Sequence, residues 1–206
     1  QRNIYNNEEV EHYDYDPKRA KKILEDAGCT MGSDGFYERD KETVGFVISV
    51  GAGDQVRIDM AQAAAQQLEE AGIRCTVDIP AQADWEGQMA YLIGWGSPFD
   101  ADDHTYKVFG TDKGANYSGY SNQQVDRYLT EARRSDDPSI RREAYDKFQV
   151  ELAQDPAFAF ICYVDANYVA DTRLHGIEPD TVMGHHGVGI FWNITEWTLE
   201  DHENNG

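Results

Sequence analysis

Residues 91–110, YLIGWGSPFDADDHTYKVFG, gather the side chains best suited to chemistry. An apolar run with Tyr91, Leu92, Ile93 and Trp95 breaks at Gly94, Gly96 and Pro98. Asp100, Asp102, Asp103 and His104 then follow within five positions. Carboxylates and an imidazole so close are ingredients of a divalent-metal site or an acid–base pair. A calcium loop needs acids at positions 1, 3 and 5, Gly at 6 and Glu at 12. Counted from Asp100, those last three places hold His104, Thr105 and Thr111, so the pattern fails. An improvised ion site from Asp100, Asp102 and His104 stays open, and with it a metal-dependent hydrolase using Asp100, Asp102, Asp103 and His104. The competing reading is helix capping, because Asp102 and Asp103 precede HTYKVF and can satisfy free backbone N–H groups. The aromatics give a third reading. Trp95 and Phe99 bracket a Gly–Ser–Pro turn, which can set aromatic faces at a pocket mouth beside carboxylates that attract an ammonium. Equally, Trp95 can belong to the core and Phe99 can anchor the loop.

Other catalytic signatures are missing from the sequence. GYSNQ has Gln123 where a nucleophile elbow needs its second glycine. No HExxH or P-loop occurs, and GAGDQV lacks the third glycine of a dinucleotide fingerprint. His185 and His186 are adjacent; on a strand they would point to opposite faces, and on a glycine-rich loop they could share an ion. The reading is therefore non-enzymatic, with no cofactor.

Asp and Glu outnumber Lys and Arg by 38 to 18, a formal charge of -20. That argues against nucleic acid, whose phosphates need a basic surface, and against an anionic membrane surface as direct partner. It suits cationic or zwitterionic ligands, or simply solubility. The longest apolar run, 157–164, falls short of the ~18 residues of a membrane span. The opening residues QRNIYNNEEVEHYDYDP are polar and carry no secretion-signal pattern. Cys29, Cys75 and Cys162 form no CxxC pair; Cys75 and Cys162 sit in apolar runs and are expected to be buried.

The elements that must position these residues alternate. DPKRAKKILEDAG (16–28) predicts a helix with Asp16 as cap, Pro17 at its first position and Gly28 at its end. CTMGSDGFYERD reads as a turn-rich connection. VGFVISV (44–50), a helix over 55–71 and IRCTVDI (73–79) form a strand–helix–strand unit with a parallel crossover. The helix stripe is Val56, Met60, Ala64 and Leu68, widened by Ala61 and Ala71. A third strand is expected over 91–95, with a helical turn in TYKVFG. One helix starts near Ser121 and uses Val125, Tyr128, Leu129 and Ala132. The next follows SDDP and uses Ile140, Ala144, Phe148 and Leu152. AFAFICYV (157–164) predicts a strand buried on both faces, NYVADTRLHGIEP a strand and turn, and GVGIFWNITEWTLE one more strand. The class is α/β with a mixed sheet, and ligands are expected at GAGDQ (51–55) and WGSPFDADDH (95–104), where strands end.

In this order, YDYDPKRAKKILEDAGC, IDMAQAAAQQLEEAGIRCTVDI, GWGSPFDADDHTYKVF and GANYSGYSNQQVDRYLTEARRSDDPSIRREAYDKFQVELAQDPAFAFICY form a specific set. The sequence resembles the extracellular solute-binding proteins, family 5, of bacterial oligopeptide, dipeptide and nickel ABC importers. The resemblance implies one lobe of a periplasmic-binding-protein-like, type II, two-lobed fold that closes on its ligand. Residues 1–183 would be the C-terminal ligand-binding lobe, and 184–206 a segment returning toward an N-terminal lobe. The implied ligand is a short peptide, alternatively a nickel chelate or other small solute. The implied partner is an importer permease, with the parent protein extracytoplasmic and anchored at or near the membrane. By resemblance, Trp95, Phe99 and Asp100 bind ligand. Peptide binders of the family place an Asp a few positions after the tryptophan to pair with the ligand's α-amino group. Here the third position is Pro98 and the first acid is Asp100, a form closer to the nickel-chelate branch.

Overall fold

A computed structural model describes residues 4–81, 87–96, 100–165, 167–178 and 189–200. The chain divides into two compact units, one of His12–Gly94 and one of Gln1–Glu11 with Trp95–Gly206.

In the unit His12–Gly94, helix α1 (Pro17–Asp26) starts where Asp16 accepts the Lys18 and Arg19 backbone N–H groups, with Pro17 at its first position. Strands β1 (Thr30–Met31), β2 (Tyr37–Arg39) and β3 (Glu42–Thr43) then form a small antiparallel sheet in the order β1-β2-β3. The expected turn-rich connection CTMGSDGFYERD thus also carries short paired strands. Strands of two or three residues are too short to print a period in the sequence. Their turn is legible in hindsight: Asp40 and Lys41, between β2 and β3, both have positive φ (55° and 70°), as a tight two-residue hairpin demands.

The strand–helix–strand unit forms as expected. Strand β4 (Gly45–Ser49) leads through α2 (Gln55–Glu70) to β5 (Arg74–Asp78), which pairs parallel with β4. Strand β6 (Ala90–Tyr91) pairs parallel with the other edge of β4, giving the order β5-β4-β6. Parallel and antiparallel pairings thus occupy separate sheets among the described residues. Helix α2 buries Ala61 and Ala65 on Ile48, Val50 and Cys75, flanked by Ile58, Ala64 and Leu68. Val56, expected in that stripe, is exposed. The buried line runs through small residues instead, which lets the helix backbone lie close to the sheet.

Tyr37 joins the parts of this unit. Its ring is 2% exposed, and its hydroxyl donates to Glu25 on α1 at 2.8 Å. Gly72, just beyond α2, lies against the same ring. It has φ +83°, and a Cβ there would stand 2.9 Å from Tyr37 Cδ2.

In the other unit, α3 (Ala101–Phe109), α4 (Gln123–Arg134) and α5 (Pro138–Gln154) enclose a core of Val125, Leu129, Ala132, Ala144, Tyr145, Phe148 and Leu152. Asn122 and Asp137 cap α4 and α5. The expected faces hold, except that Ile140 is exposed and Tyr145 takes a core place. Strands β7 (Leu174–His175) and β8 (Thr198–Leu199) pair antiparallel, with a short 3-10 turn at Ile194–Glu196 between them. Among the described residues the tail therefore supplies a two-residue strand.

Residues 157–164 are the main departure. They form no strand among the described residues, and Phe160, Ile161, Tyr163 and Val164 are exposed. Hydrophobicity alone cannot place a strand, because its N–H and C=O groups need a neighbouring edge. Phe158 and Phe160 instead gather on Phe109, at centroid distances of 5.6 and 6.4 Å. Cys162 is consequently exposed rather than buried, while Cys29 and Cys75 are buried and no disulfide joins the three. No described helix is long and apolar enough to cross a membrane.

Gly72→Ala is expected to lower unfolding free energy by ~1–2 kcal/mol, the cost of a left-handed conformation for an L side chain. Gly51→Ala, where a Cβ meets nothing within 4 Å, serves as the neutral control in urea denaturation.

Candidate functional site

Asp100 sets the entrance of α3. Its Oδ1 accepts the Asp102 backbone N–H at 2.8 Å, the bond that caps the helix. The same oxygen accepts from Arg141 Nη2 at 2.5 Å, which ties this entrance to α5. The expected capping role for Asp102 and Asp103 is thereby corrected. The helix begins earlier than HTYKVF suggests, so Asp100 is the cap and the next two acids lie in the first turn, where the helix dipole favours them.

Each of these acids has its own cation. Asp102 pairs with Arg133 on α4 at 3.1 Å, and Asp103 with Lys107 one turn along α3 at 3.1 Å. Arg133 also lies over the Tyr106 ring, 4.0 Å from its centroid. Together with Arg141, these groups line a cleft of about 360 Å³. The Arg141 guanidinium holds the Asp100 carboxyl below the usual carboxylate range, helped by the Asp102 N–H, while Asp100 in turn raises Arg141 and keeps it charged. Burial pushes the Tyr145 hydroxyl up.

The acids therefore do not converge on a common point. Among the described residues, no group of three His, Cys, Asp or Glu side chains is placed to hold a metal ion. His104 turns a different way, with Nε2 3.9 Å from Asp103 and its ring against Trp95. The four side chains of the hydrolase alternative, Asp100, Asp102, Asp103 and His104, are thus not grouped around one point. His185 and His186 lie outside the described residues.

The aromatic reading gains a partner. Trp95 is 38% exposed, which removes it from the core. Tyr117 stacks on it with centroids 6.0 Å apart and planes 12° apart, and His104 packs at 5.7 Å and 53°. Phe99, with Ser97 and Pro98, lies outside the described residues, so its expected place beside Trp95 carries no geometry.

Tyr117 did not stand out in the sequence, because 22 residues separate it from Trp95. The only available signal was an aromatic in the turn GANYSGY. Asn116 pins that turn: its Nδ2 donates to the carbonyls of Gly110 (2.9 Å) and Tyr120 (2.7 Å), and its Oδ1 accepts from Tyr120 N and Ser118 Oγ, both at 3.1 Å.

The family described as bacterial extracellular solute-binding proteins, family 5 Middle, matches residues 2–117. Protein XP55 of Streptomyces lividans is 34% identical over 165 residues, covering 77% of this chain and 30% of that protein. The oligopeptide-binding protein AppA of Bacillus subtilis is 25% identical over 203 residues, covering 93% and 36%. Among solved structures, NikZ of Campylobacter jejuni in complex with Ni(L-His) superposes with a TM-score of 0.83 at 34% identity, over 95% of this chain and 41% of that one. AppA of Bacillus subtilis in complex with a nonapeptide gives 0.76 at 22% identity, over 96% and 40%, a likeness of fold. The chain thus spans only 30% to 41% of the length of these relatives.

Asp100 allows a test by substitution. Asp100→Asn keeps a capping oxygen and removes the charge; Asp100→Ala removes both. The alanine variant is expected to be less stable than the asparagine variant by about 1 kcal/mol, the usual worth of a cap. Because the folded carboxyl lies below its unfolded value near 3.9, its stabilisation is complete above that value and is lost as pH falls through the folded one. Denaturation midpoints of wild type and Asp100→Asn should therefore converge as pH drops below about 4.

Proposed function

This chain belongs to the bacterial extracellular solute-binding proteins of family 5, and from that premise we propose that it is a ligand-binding lobe of an ABC importer's substrate-binding component. The proposed protein is longer than this chain, captures short peptides in a cleft between lobes and delivers them to a membrane permease. It works outside the cytoplasm, held at or near the membrane, and carries out no reaction on its solute. Residues 1–183 act as the lobe and 184–206 return toward the other lobe.

One observation carries the reading: a half-exposed Trp95, braced by Tyr117 and His104, within the stretch the family matches. A surface indole fixed by other rings offers contact area that need not be ordered again on binding. Trp95 and Phe99 supply aromatic packing to the solute. Asp100 fixes the start of α3 through its cap and its bond to Arg141. To pair with a peptide's α-ammonium it must share or exchange that cation.

That engagement of Asp100, together with Pro98 in the place of the peptide binders' acid, favours a second reading in which the solute is a nickel–amino-acid complex. The 34% identity to a protein solved with Ni(L-His) points the same way. Lobe closure is common to both readings.

Isothermal titration of the full-length protein, first with peptides of two to nine residues and then with nickel–L-histidine, separates them. Binding is expected with one class, weakened about tenfold or more by Trp95→Ala, since losing an aromatic contact removes upward of 1.4 kcal/mol. Heat from neither class sinks both assignments. The chain 1–206 by itself is expected to bind far more weakly than the full-length protein, and equal affinity contradicts the clamp.

A further inference from the structure

We infer that Tyr117 and Trp95 form one ring shelf that receives a planar ring of the bound solute, with Asn116 positioning the tyrosine. The inference rests on the reading that Trp95 lines the ligand site, and it adds a contact residue and a ligand feature.

The geometry of the pair is the starting point. Planes 12° apart are nearly parallel, yet the centroids are 6.0 Å apart. Rings in contact at about 3.5 Å must then be displaced sideways by about 5 Å. Such a pair is a step rather than a closed sandwich. The exposures agree: Trp95 is 38% and Tyr117 46% exposed. His104 packs tilted on the indole and holds its plane.

The turn that carries Tyr117 is held by Asn116. Asn116 makes four hydrogen bonds across it, to Gly110, Ser118 and Tyr120. Tyr120 packs on the helical core, whereas Tyr117 projects beside Trp95. The bonds of Asn116 therefore fix the backbone from which an exposed ring meets another. Offset stacking is the arrangement that aromatic rings prefer, and a third ring can extend it. A phenyl, indole or phenol of a peptide has the needed flatness, as does the imidazole of a metal-bound histidine.

The experiment uses the full-length protein with Tyr117→Leu, Tyr117→Phe and Trp95→Leu. Paired probes differ in one ring: the peptides Ala-Phe-Ala and Ala-Ala-Ala, and nickel with L-histidine or with glycine. In the probe class that binds, Tyr117→Leu is expected to cut the preference for the ring-bearing member about fivefold, and Tyr117→Phe to keep it within about twofold. A loss equal for both members overturns the contact and leaves only a supporting role. If Trp95→Leu weakens binding while Tyr117→Leu leaves the preference intact, the shelf fails and the site stands. If Trp95→Leu changes nothing, or no probe binds, the placement of the site fails and the shelf with it. A ligand-free arm tests the stack directly. The emission of Trp95, taken as wild type minus Trp95→Leu, should shift to the red in the Tyr117→Leu background; an unchanged spectrum overturns the stack.

Discussion

The helical unit depends on one carboxylate oxygen. Asp100 Oδ1 receives the Asp102 amide and the Arg141 guanidinium together, so the start of α3 is fixed in direction and fastened to α5. Once α3 is set, Val108 is buried, Phe109 meets Phe148, and Tyr106 lies under Arg133. His104 is then carried to Trp95. An exposed ion pair of this kind adds little stability on its own account. Its effect is directional, because the same atom closes a helix end that would otherwise leave an N–H without a partner.

The charges around this point are matched one to one, although the chain as a whole is strongly acidic. Asp100, Asp102 and Asp103 each meet a separate base, on α5, α4 and α3 respectively. A metal site needs carboxylates that share a centre, and here each is drawn outward to its own partner. The acids are engaged with bases, and the proposed recognition rests on the ring faces instead. Net charge describes the chain as a whole and is a poor guide to any one site.

The first helix was legible in the sequence because spacing, cap and terminal glycine agreed, at Asp16 and Gly28; α4 and α5 start close to the expected Ser121 and SDDP, with Asn122 and Asp137 as their caps. The parallel unit was legible for the same reason. The β1–β3 sheet was not, since strands this short have no period. At 157–164 the continuous apolar run suggests a strand, because it records hydrophobicity without recording an edge to pair with. At the site, Trp95 and the acids announced themselves by being neighbours, but their pairing did not. Arg133, Arg141 and Tyr117 arrive from elsewhere in the chain, and only the packing of three helices and a pinned turn brings them there.

That same run, 157–164, has a material consequence. It contains no charge and no proline, and most of its side chains face solvent. An uncharged run that exposes Phe160, Ile161 and Tyr163 is suited to adhesion between like chains. In concentrated solutions of the chain 1–206, self-association should begin at this segment, long before the helical core loosens.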